Sequence, residues 1–288
     1  MSTLRNKKIS VIVPNYNYGR YVKKRIQSIL RQTYPIHELI ILDDASTDGS
    51  AEIIKNIVLD LKIQHPNMNI KFVPNSCNSG KAIAQWKKGI ELATGDYVWI
   101  AEMDDLCSKS FLEEVMKGFD DSEVVISYTE SAVINSAGIM IAPNFRWSRD
   151  KEKTGHYKKD YVKDGHREIE EIMAIRCSIP NVSAVVFRKS AIKMKNLEKA
   201  IEFTQVGDWY LYAKMLEDGK ISYTRKALNR FRIHSESKTA QSKKSDEHYK
   251  EVVNMHNYFQ KKYKLSERVK DAIRVEEARI REKHGIIE

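Results

Sequence analysis

Short apolar runs alternate with amphipathic stretches through the first half of the chain. The runs that read as buried parallel strands occupy residues 9–14, 38–43, 70–73, 97–101 and 124–128. Between them apolar residues recur at helical spacing, as Val22, Ile26 and Ile29 do ahead of Pro35. Because parallel strands need crossover connections, this order predicts an α/β fold, an open, mostly parallel twisted sheet flanked by helices.

The second half of the chain is less regular. Residues 145–167 are polar and without clear periodicity, which predicts a long loop that covers a binding crevice. Further elements are predicted as a strand at 185–187, a helix at 209–216, and strands at 221–224 and 228–233. The chain then becomes polar over 235–246 and ends in two charged helices, 248–263 and 266–283. The predicted organisation is therefore one domain over 1–235 and a C-terminal helical appendage over 236–288.

Composition narrows the partners and the compartment. No run approaches the roughly 18 apolar residues of a membrane span, and the first residues lack the apolar core of a signal peptide, so a cytoplasmic location is expected. Cys77, Cys107 and Cys177 are too widely spaced to indicate a disulfide framework or a thiolate metal site. The net charge of +10 favours anionic partners, but acids interrupt the basic stretches, so no nucleic-acid partner is predicted.

Polar residues follow three of the predicted strands, where ligands bind open parallel sheets. Tyr16 follows the first strand, and its ring could stack on a nucleobase; the alternative is an ordinary turn. Asp43 and Asp44 end the second strand, and a carboxylate there can accept the N3–H of uracil or thymine. The alternative for that stretch is helix capping by its hydroxyls and by Asp48.

The third polar segment is WIAEMDD, which brings Glu102, Asp104 and Asp105 into one loop. Like charges this close repel one another unless a cation lies among them. Mg²⁺ and Mn²⁺ favour one or two carboxylates together with substrate phosphate oxygens, so the cluster suits a nucleotide diphosphate. The alternative is a solvated acidic loop.

Taken in order, these segments resemble the family-two glycosyltransferases of the GT-A fold. The resemblance covers about residues 8–235 and rests on VIVPNYN, DDASTDGS and NSGKAIAQWKKGIELATGDY. It implies that Pro14 and Tyr16 line the base pocket and that Asp44 reads the pyrimidine. It also implies that Asp104 holds the ribose or the metal and that Asp105 binds the metal.

The sequence departs from the family pattern at two donor-side positions. Glu102 stands where many members have the first Asp of a DxD motif, and it is kept as a candidate metal ligand. Gln85 stands in the region where many members carry an Arg, which makes Lys81 the candidate cation for donor binding.

The resemblance also implies roles for residues late in the domain. An inverting transferase needs a base for the acceptor hydroxyl, and the segment GDWYLYAKML makes Asp208 that candidate, although Gly207 replaces the more common acidic neighbour. The alternative is that Asp208 caps the helix that follows. In RFRIHSES, Arg232 is expected to balance phosphate charge and His234 to ligate the metal or contact phosphate.

The sequence therefore predicts a metal-dependent, inverting glycosyltransferase that uses Mn²⁺ or Mg²⁺. Its donor would be a UDP- or dTDP-sugar, and its acceptor a hydroxyl of a glycan or lipid-linked substrate in surface polysaccharide assembly. Two alternatives remain: a non-catalytic nucleotide-sugar-binding scaffold, and a sugar nucleotidyltransferase, which a missing Gly-rich phosphate loop disfavours. The C-terminal helices are hypothesised to contact a second copy of the chain or the inner face of a membrane.

Overall fold

Ten strands form one sheet in the computed structural model, which describes residues 7–149, 154–235 and 246–285. The strands are β1 (Ile9–Asn15), β2 (Glu38–Asp43), β3 (Asn69–Pro74), β4 (Tyr97–Ile100), β5 (Leu106–Cys107), β6 (Val124–Ile134), β7 (Met140–Ala142), β8 (Tyr161–Asp164), β9 (Val185–Arg188) and β10 (Lys220–Arg232). Their order across the sheet is β3-β2-β1-β4-β9-β6-β10-β5, with β7 beside β6 and β8 beside β10.

Helices cover both faces of this sheet. They are α1 (Gly19–Leu30), α2 (Ser50–Gln64), α3 (Ala82–Leu92), α4 (Phe111–Met116), α5 (Arg146–Arg149), α6 (Gly165–Glu168), α7 (Met194–Glu202), α8 (Gly207–Leu216), α9 (Asp246–Lys262) and α10 (Glu267–His284). A π-helical turn, Ile169–Met173, continues α6.

The alternation of side chains along the central strands explains the two layers of helices. In β1, Val11 and Val13 pack with residues of α1, α2 and α4, whereas Ile12 faces the opposite cluster, which includes α3 and α8. Neighbouring side chains of a strand point to opposite faces, so a strand that is apolar throughout needs a cover on both. The α/β sheet flanked by helices is thus confirmed.

Strand direction determines where the polar segments meet. β1 runs parallel to β2 and β4, and β2 runs parallel to β3, whereas β9 lies antiparallel between β4 and β6. The carboxyl ends of β2, β1 and β4 are therefore neighbours at one edge of the sheet. The segments that follow Pro14, Asp43 and Ile100 share that edge, as the sequence predicts.

The structure differs from the predicted elements in the second half of the domain. The two strands predicted at 221–224 and 228–233 form one strand, β10, whose register is irregular between Thr224 and Ala227. Arg225 and Lys226 are exposed there, so the sequence pattern resembles that of a turn. Part of the predicted loop 145–167 is also regular, because β8 pairs with β10 along its length. Helix α7 was not predicted, since its apolar side is narrow.

The C-terminal helices share the core of the domain. Val252, Phe259, Val269 and Ile273 belong to the same buried cluster as Trp209 of α8. The apolar seams of α9 and α10 are thus used within the chain, and in the part described only Val275 of these helices is a large exposed apolar residue. The predicted domain boundary, between residues 235 and 236, adjoins residues 236–245, which lie outside the described part. Among the residues described, no helix is long and apolar enough to cross a bilayer.

Candidate active site

Two residues predicted to line the base pocket lie at the end of β1. Pro14 is buried within the strand, and Tyr16, just beyond it, is 40% exposed. Between them, Asn15 donates from Nδ2 to Asp43 Oδ1 at 2.7 Å, and Ser46 donates to the same carboxylate. Asp43 therefore fixes the turns after β1 and β2 against each other, and the Tyr16 ring remains accessible for stacking on a base.

Asp44 is the most firmly oriented carboxylate on this side of the crevice. It is buried, and its Oδ1 accepts from Asn75 Nδ2 at 2.7 Å, from Ser79 N–H at 2.9 Å and from Gln85 Nε2 at 2.7 Å. Its Oδ2 accepts from the Ser79 hydroxyl at 2.8 Å, which leaves acceptor capacity on that oxygen. Gln85, noted as a departure from the family pattern, thus helps to orient the residue predicted to read the base.

Asp48, offered by the sequence as a capping alternative, is not the N-cap residue of α2, which is Gly49, but it does bind the start of the helix. Its Oδ1 accepts the N–H of Ser50, the first residue of α2, at 2.9 Å, and its Oδ2 accepts the N–H of Gly19 at 2.8 Å. The capping and base-reading interpretations therefore apply to different residues of one motif.

Lys81, predicted to replace the missing Arg, is directed away from the other donor-side residues. Its Nζ donates to the carbonyl of Phe203 at 3.1 Å and lies 3.4 Å from Thr204 Oγ1, beyond the end of α7. In this position its charge stabilises the loop between α7 and α8. A contact with the donor would require the side chain to change rotamer.

The acidic loop after β4 begins with Glu102, whose carboxyl is held by a tryptophan. Trp86 donates from Nε1 to Glu102 Oε1 at 2.7 Å, and the Glu102 N–H donates to Ser183 Oγ at 3.1 Å. Burial, followed by the nearby charge of Asp104, raises the pKa of Glu102 to about 8. A carboxyl that is bound to an indole and protonated near neutral pH is a weak ligand for a cation.

Asp105 and Asp104 point in different directions. Asp105 is buried, and its oxygens accept from Arg232 N–H at 2.8 Å and from Asn181 Nδ2 at 2.6 Å. Burial, and then the charge of Asp104, raises the pKa of Asp105 to about 7. Asp104 has a side chain that is 15% exposed, and its Oδ2 lies 3.0 Å from His234 Nε2. Asp104 is therefore the more accessible of the two carboxylates, and we favour it as the candidate metal ligand over Asp105, the sequence-based choice.

Arg232 and His234 reach the acidic loop from β10 and the segment after it. Arg232 donates from Nε to the carbonyl of Asp104 and from Nη1 to the carbonyls of Asn135 and Ser136, at 2.5, 2.7 and 3.0 Å. Its guanidinium carbon also lies 4.4 Å from the centre of the Tyr21 ring. Arg232 thus ties the β6–β7 turn to the acidic loop through Nε and Nη1.

Arg25 is a component of this site that the motifs did not reveal. It is fully buried in α1, and none of its three guanidinium nitrogens donates to a residue in the described ranges. It lies 5.2 Å from the Trp99 ring, and its charge lowers the pKa of Glu102 and Asp105 against the effect of burial. The sequence could have predicted that Arg25 is buried, because position 25 lies three residues after Val22 on the apolar face of α1.

Asp208 lies in the first turn of α8 and is half-buried. The helix begins at Gly207 with Val206 as its N-cap residue, so the alternative in which Asp208 caps the helix is wrong. Its Oδ1 accepts from Trp209 N–H at 2.7 Å, and burial raises the pKa of Asp208 to about 6. A carboxylate with a raised pKa is a better proton acceptor than an ordinary surface carboxylate.

The structure gives a physical reason for the glycine beside Asp208. A Cβ at Gly207 would lie 2.4 Å from the carbonyl oxygen of Ala200 and 2.5 Å from a methyl group of Ile83. Because α7, α8 and α3 approach so closely here, no side chain fits. The departure from an acidic neighbour therefore reflects packing.

Asp208 lines a cavity of about 290 Å³. Its other lining residues are Phe145, Ser148, Ile175, Arg176, Cys177, Ile179, Pro180, Gln205, Val206, Trp209, His248, Val252, Glu276, Arg279 and Ile280. The start of the predicted covering loop therefore does border a cavity. The rest does not form a flexible cover as predicted, since Tyr157 is buried and β8 belongs to the sheet, and residues 150–153 lie outside the described part.

The residues present could hold a divalent cation only together with a ligand. Over the described ranges, no group of three or more His, Cys, Asp and Glu side chains is arranged to hold a metal. Asp104 and the buried His234 supply one carboxylate and one imidazole in contact with each other, a donor set that Mn²⁺ accepts when phosphate oxygens complete the shell. Of the residues predicted as metal ligands, these two contact each other, whereas Asp105 and Glu102 are hydrogen-bonded to other groups of the protein.

Comparison with known proteins matches this arrangement to a family. The model of Glycosyl transferase family 2 matches residues 10–176. Glycosyltransferase GlyG of Streptococcus pneumoniae is 33% identical over 132 residues, which cover 43% of this chain and 40% of that protein. TuaG of Bacillus subtilis, whose name assigns it to teichuronic acid biosynthesis, is 32% identical over 130 residues, covering 45% of this chain and 49% of that protein. The matched part is less than half the length of these relatives.

Solved structures share the fold at low sequence identity. TarS of S. aureus in complex with UDP-GlcNAc has a TM-score of 0.67 and 20% identity, over 95% of this chain and 72% of that chain. Mannosyltransferase PcManGT of Pyrobaculum calidifontis, in complex with GDP-Man and Mn²⁺, has a TM-score of 0.61 and 17% identity, over 95% of this chain and 70% of that chain. These matches support the fold of this chain, and because they cover 95% of it, they extend into its C-terminal half.

Proposed function

Because the chain belongs to glycosyl transferase family 2, we propose that it is an inverting glycosyltransferase that moves a sugar from a UDP- or dTDP-sugar to a glycan hydroxyl. The observation that carries the proposal is the placement of Asp44 after β2 and of Asp104, in contact with His234, after β4, because β2 and β4 are the two strands that flank β1. Assembly of a surface polysaccharide is the proposed context, supported by the name of one matched relative, TuaG, which refers to teichuronic acid biosynthesis.

The donor base is proposed to lie between the Tyr16 ring and the Asp44 carboxylate. Three donors, the side chains of Asn75 and Gln85 and the N–H of Ser79, hold Asp44 Oδ1, so Oδ2 is left to accept the N3–H of a pyrimidine. Uracil and thymine both present this proton, whereas cytosine does not. A carboxylate that is already oriented loses little conformational entropy when the base binds.

The diphosphate is proposed to lie against Asp104 and His234. A divalent ion held by these two side chains would neutralise the negative charge that develops on the leaving diphosphate. Arg232 keeps the backbone of Asp104 in place, through Nε, while this charge changes. Metal dependence, and the choice between Mn²⁺ and Mg²⁺, belong to the proposal.

Asp208 is proposed to accept the proton of the acceptor hydroxyl. As that oxygen forms a bond to the anomeric carbon, the bond from this carbon to the diphosphate oxygen breaks on the opposite face, so the configuration inverts. The proton passes to the Asp208 carboxylate, which releases it to solvent after the reaction. The cytoplasmic location remains a sequence-based prediction.

Thermal unfolding with nucleotides tests the donor assignment directly. UDP and dTDP are expected to raise the melting temperature in the presence of Mn²⁺, whereas ADP and CDP leave it unchanged, because a ligand that binds only the folded state stabilises it. Asp44→Ala should remove the UDP-dependent shift. An equal shift with all four nucleotides would contradict the base-reading role of Asp44, and no shift with any of them would contradict the donor pocket.

A further inference from the structure

The C-terminal helices build one wall of the cavity that contains Asp208. Phe259 and His256 of α9 contact the Trp209 ring, with ring centres 5.7 Å apart in both pairs. His256 Nε2 also lies 3.0 Å from the carbonyl of Ile175. These contacts hold α9 against both α8 and the segment after the π-helical turn. The wall is therefore fixed to the helix that presents the proposed base.

A buried ionic cluster joins α10 to the opposite side of the cavity. Glu276 is 5% exposed and accepts from Arg176 Nη2 at 2.9 Å and from Arg279 Nε at 2.8 Å. Arg176 comes from the domain and Arg279 from α10, so one carboxylate connects the two sides. Buried ion pairs of this kind contribute little to stability unless their geometry is good, but they do fix the position of the groups around them.

The same cavity adjoins the acidic loop through a short stretch of chain. Ile179 and Pro180 line the cavity, and the next residue, Asn181, donates from Nδ2 to Asp105 at 2.6 Å. Burial, and then the charges of Asp208, Cys177 and Glu102, raise the pKa of Tyr212 of α8. The cavity is thus one layer of side chains away from the proposed diphosphate site.

We propose that this cavity is the acceptor subsite and that α9 and α10 select the sugar at the end of a glycan acceptor; this rests on the proposed function. At 290 Å³ it lies at the lower limit of small-molecule sites, which suits a terminal sugar and not a whole chain. A sugar ring has apolar C–H faces and hydroxyl edges. The lining offers both kinds of partner, with Ile175, Val252 and Ile280 as apolar surface and Gln205 and Arg279 as polar groups.

The experiment compares two arginines of α10. Arg279 lines the cavity, whereas Arg274 is 66% exposed and pairs with Asp271 on the helix surface. The readout is UDP release from UDP-sugars, with water alone and with a panel of p-nitrophenyl pyranosides as acceptor probes. Arg279→Ala is expected to raise the KM of the stimulating pyranoside about tenfold, the usual effect of losing one hydrogen bond to a charged group. Arg274→Ala should leave this KM unchanged.

Two controls separate this proposal from the proposed function. The UDP-dependent melting shift should be the same in both variants and in the parent chain, because donor binding does not require the acceptor. Arg274→Ala should also keep the parent's rate of UDP release to water. If UDP neither binds nor is released in the parent chain, the proposed function has failed. If UDP is released but Arg279→Ala and Arg274→Ala give the same pyranoside KM, the subsite is wrong.

The acceptor class is tested by the probes. Stimulation of UDP release by at least one pyranoside, and not by a serine-containing peptide or by phosphatidylglycerol vesicles, supports a sugar terminus. Stimulation by the peptide or the vesicles alone would overturn that assignment, as would hydrolysis of the donor that no pyranoside accelerates. His248→Ala, on α9, provides a second variant that should raise the same KM if Arg279→Ala proves unstable.

Discussion

The two sides of the proposed site are built in different ways. On the donor side, Asp44 has three hydrogen-bond partners, all from the first half of the chain, and Asp105 has two, Asn181 and Arg232. On the acceptor side, Asp208 has one backbone hydrogen bond and borders an open cavity whose walls come from four distant segments. The donor side is therefore organised before its ligand arrives, whereas the acceptor side is defined mainly by its shape.

The family match follows most of the same division. It covers residues 10–176, which include the ends of β1, β2 and β4 but not the end of β10 with Arg232 and His234, and not Asp208, α9 or α10. Proteins that act on different acceptors can bind their donors in the same way, because nucleotide-sugar donors share a base and a diphosphate. The difference between the two sides suggests that specificity for the acceptor lies in the C-terminal part of this chain.

The largest expected effect is on the acceptor side. Asp208→Asn should lower kcat by about 10²–10⁴-fold, because the acceptor hydroxyl loses its proton acceptor, while UDP affinity stays the same. The measurement is UDP release at saturating donor and acceptor, together with the UDP-dependent melting shift. Asp218→Asn, beyond the other end of α8 and exposed, is the matched control and should keep full activity. A variant at position 208 that keeps its rate would assign the base elsewhere.

The largest donor-side effect is expected at Asp104. Asp104→Asn should weaken Mn²⁺-dependent UDP binding by about 100-fold or more, since one of the two protein ligands is lost. Calorimetric titration of UDP with and without Mn²⁺ provides the measurement. Asp105→Asn should instead lower the melting temperature, because its amide would meet the N–H groups of Asn181 and Arg232. The reverse result would restore Asp105 as the principal ligand.

A pH profile tests whether Asp208 works as a carboxylate. Its pKa is raised to about 6, and a base acts only when deprotonated, so kcat should fall about tenfold between pH 7 and pH 5. The melting temperature at pH 5 serves as the control for acid unfolding. The residual activity of Asp208→Asn should lack this acidic limb, and its presence there would point to another titrating group.

Much of the donor side could be predicted from the sequence because its chemistry is local. VIVPNYN, DDASTDGS and WIAEMDD each place their polar residues directly after a buried strand, so the period of the strand fixes where they lie. The sequence could not distinguish Asp104 from Asp105, since their difference depends on Asn181 and β10. It also could not show that α9 and α10 reach Asp208, because that contact joins segments far apart in the chain.

A smaller donor-side effect is expected at Gln85, the position where an Arg was expected. Gln85→Leu removes one of the four hydrogen bonds to Asp44 and should weaken UDP binding about tenfold. Gln64→Leu, on the exposed end of α2, is the control and should have no effect. The measurement is the Kd of UDP, determined by calorimetric titration for both variants and the parent chain. Unchanged affinity would mean that Asn75 and Ser79 suffice to orient the carboxylate.

The smallest expected effect is the change in unfolding temperature on replacing Arg25, because the cost of burying its charge and its attraction to nearby carboxylates oppose each other. Burial of a guanidinium without hydrogen-bond partners costs stability, and attraction to Glu102 and Asp105 offsets that cost. At pH 6, below the raised pKa values of about 8 and about 7, both carboxyls are mostly protonated, so little attraction is lost with the charge. Arg25→Met, measured at pH 6 without divalent metal, should therefore unfold at the same temperature or a few degrees higher.

Arg25→Lys keeps the charge on a more strongly hydrated group and should unfold at a lower temperature. A fall of several degrees for Arg25→Met would mean that the attraction outweighs the burial cost even at this pH, and that the donor loop depends on a cation beneath it.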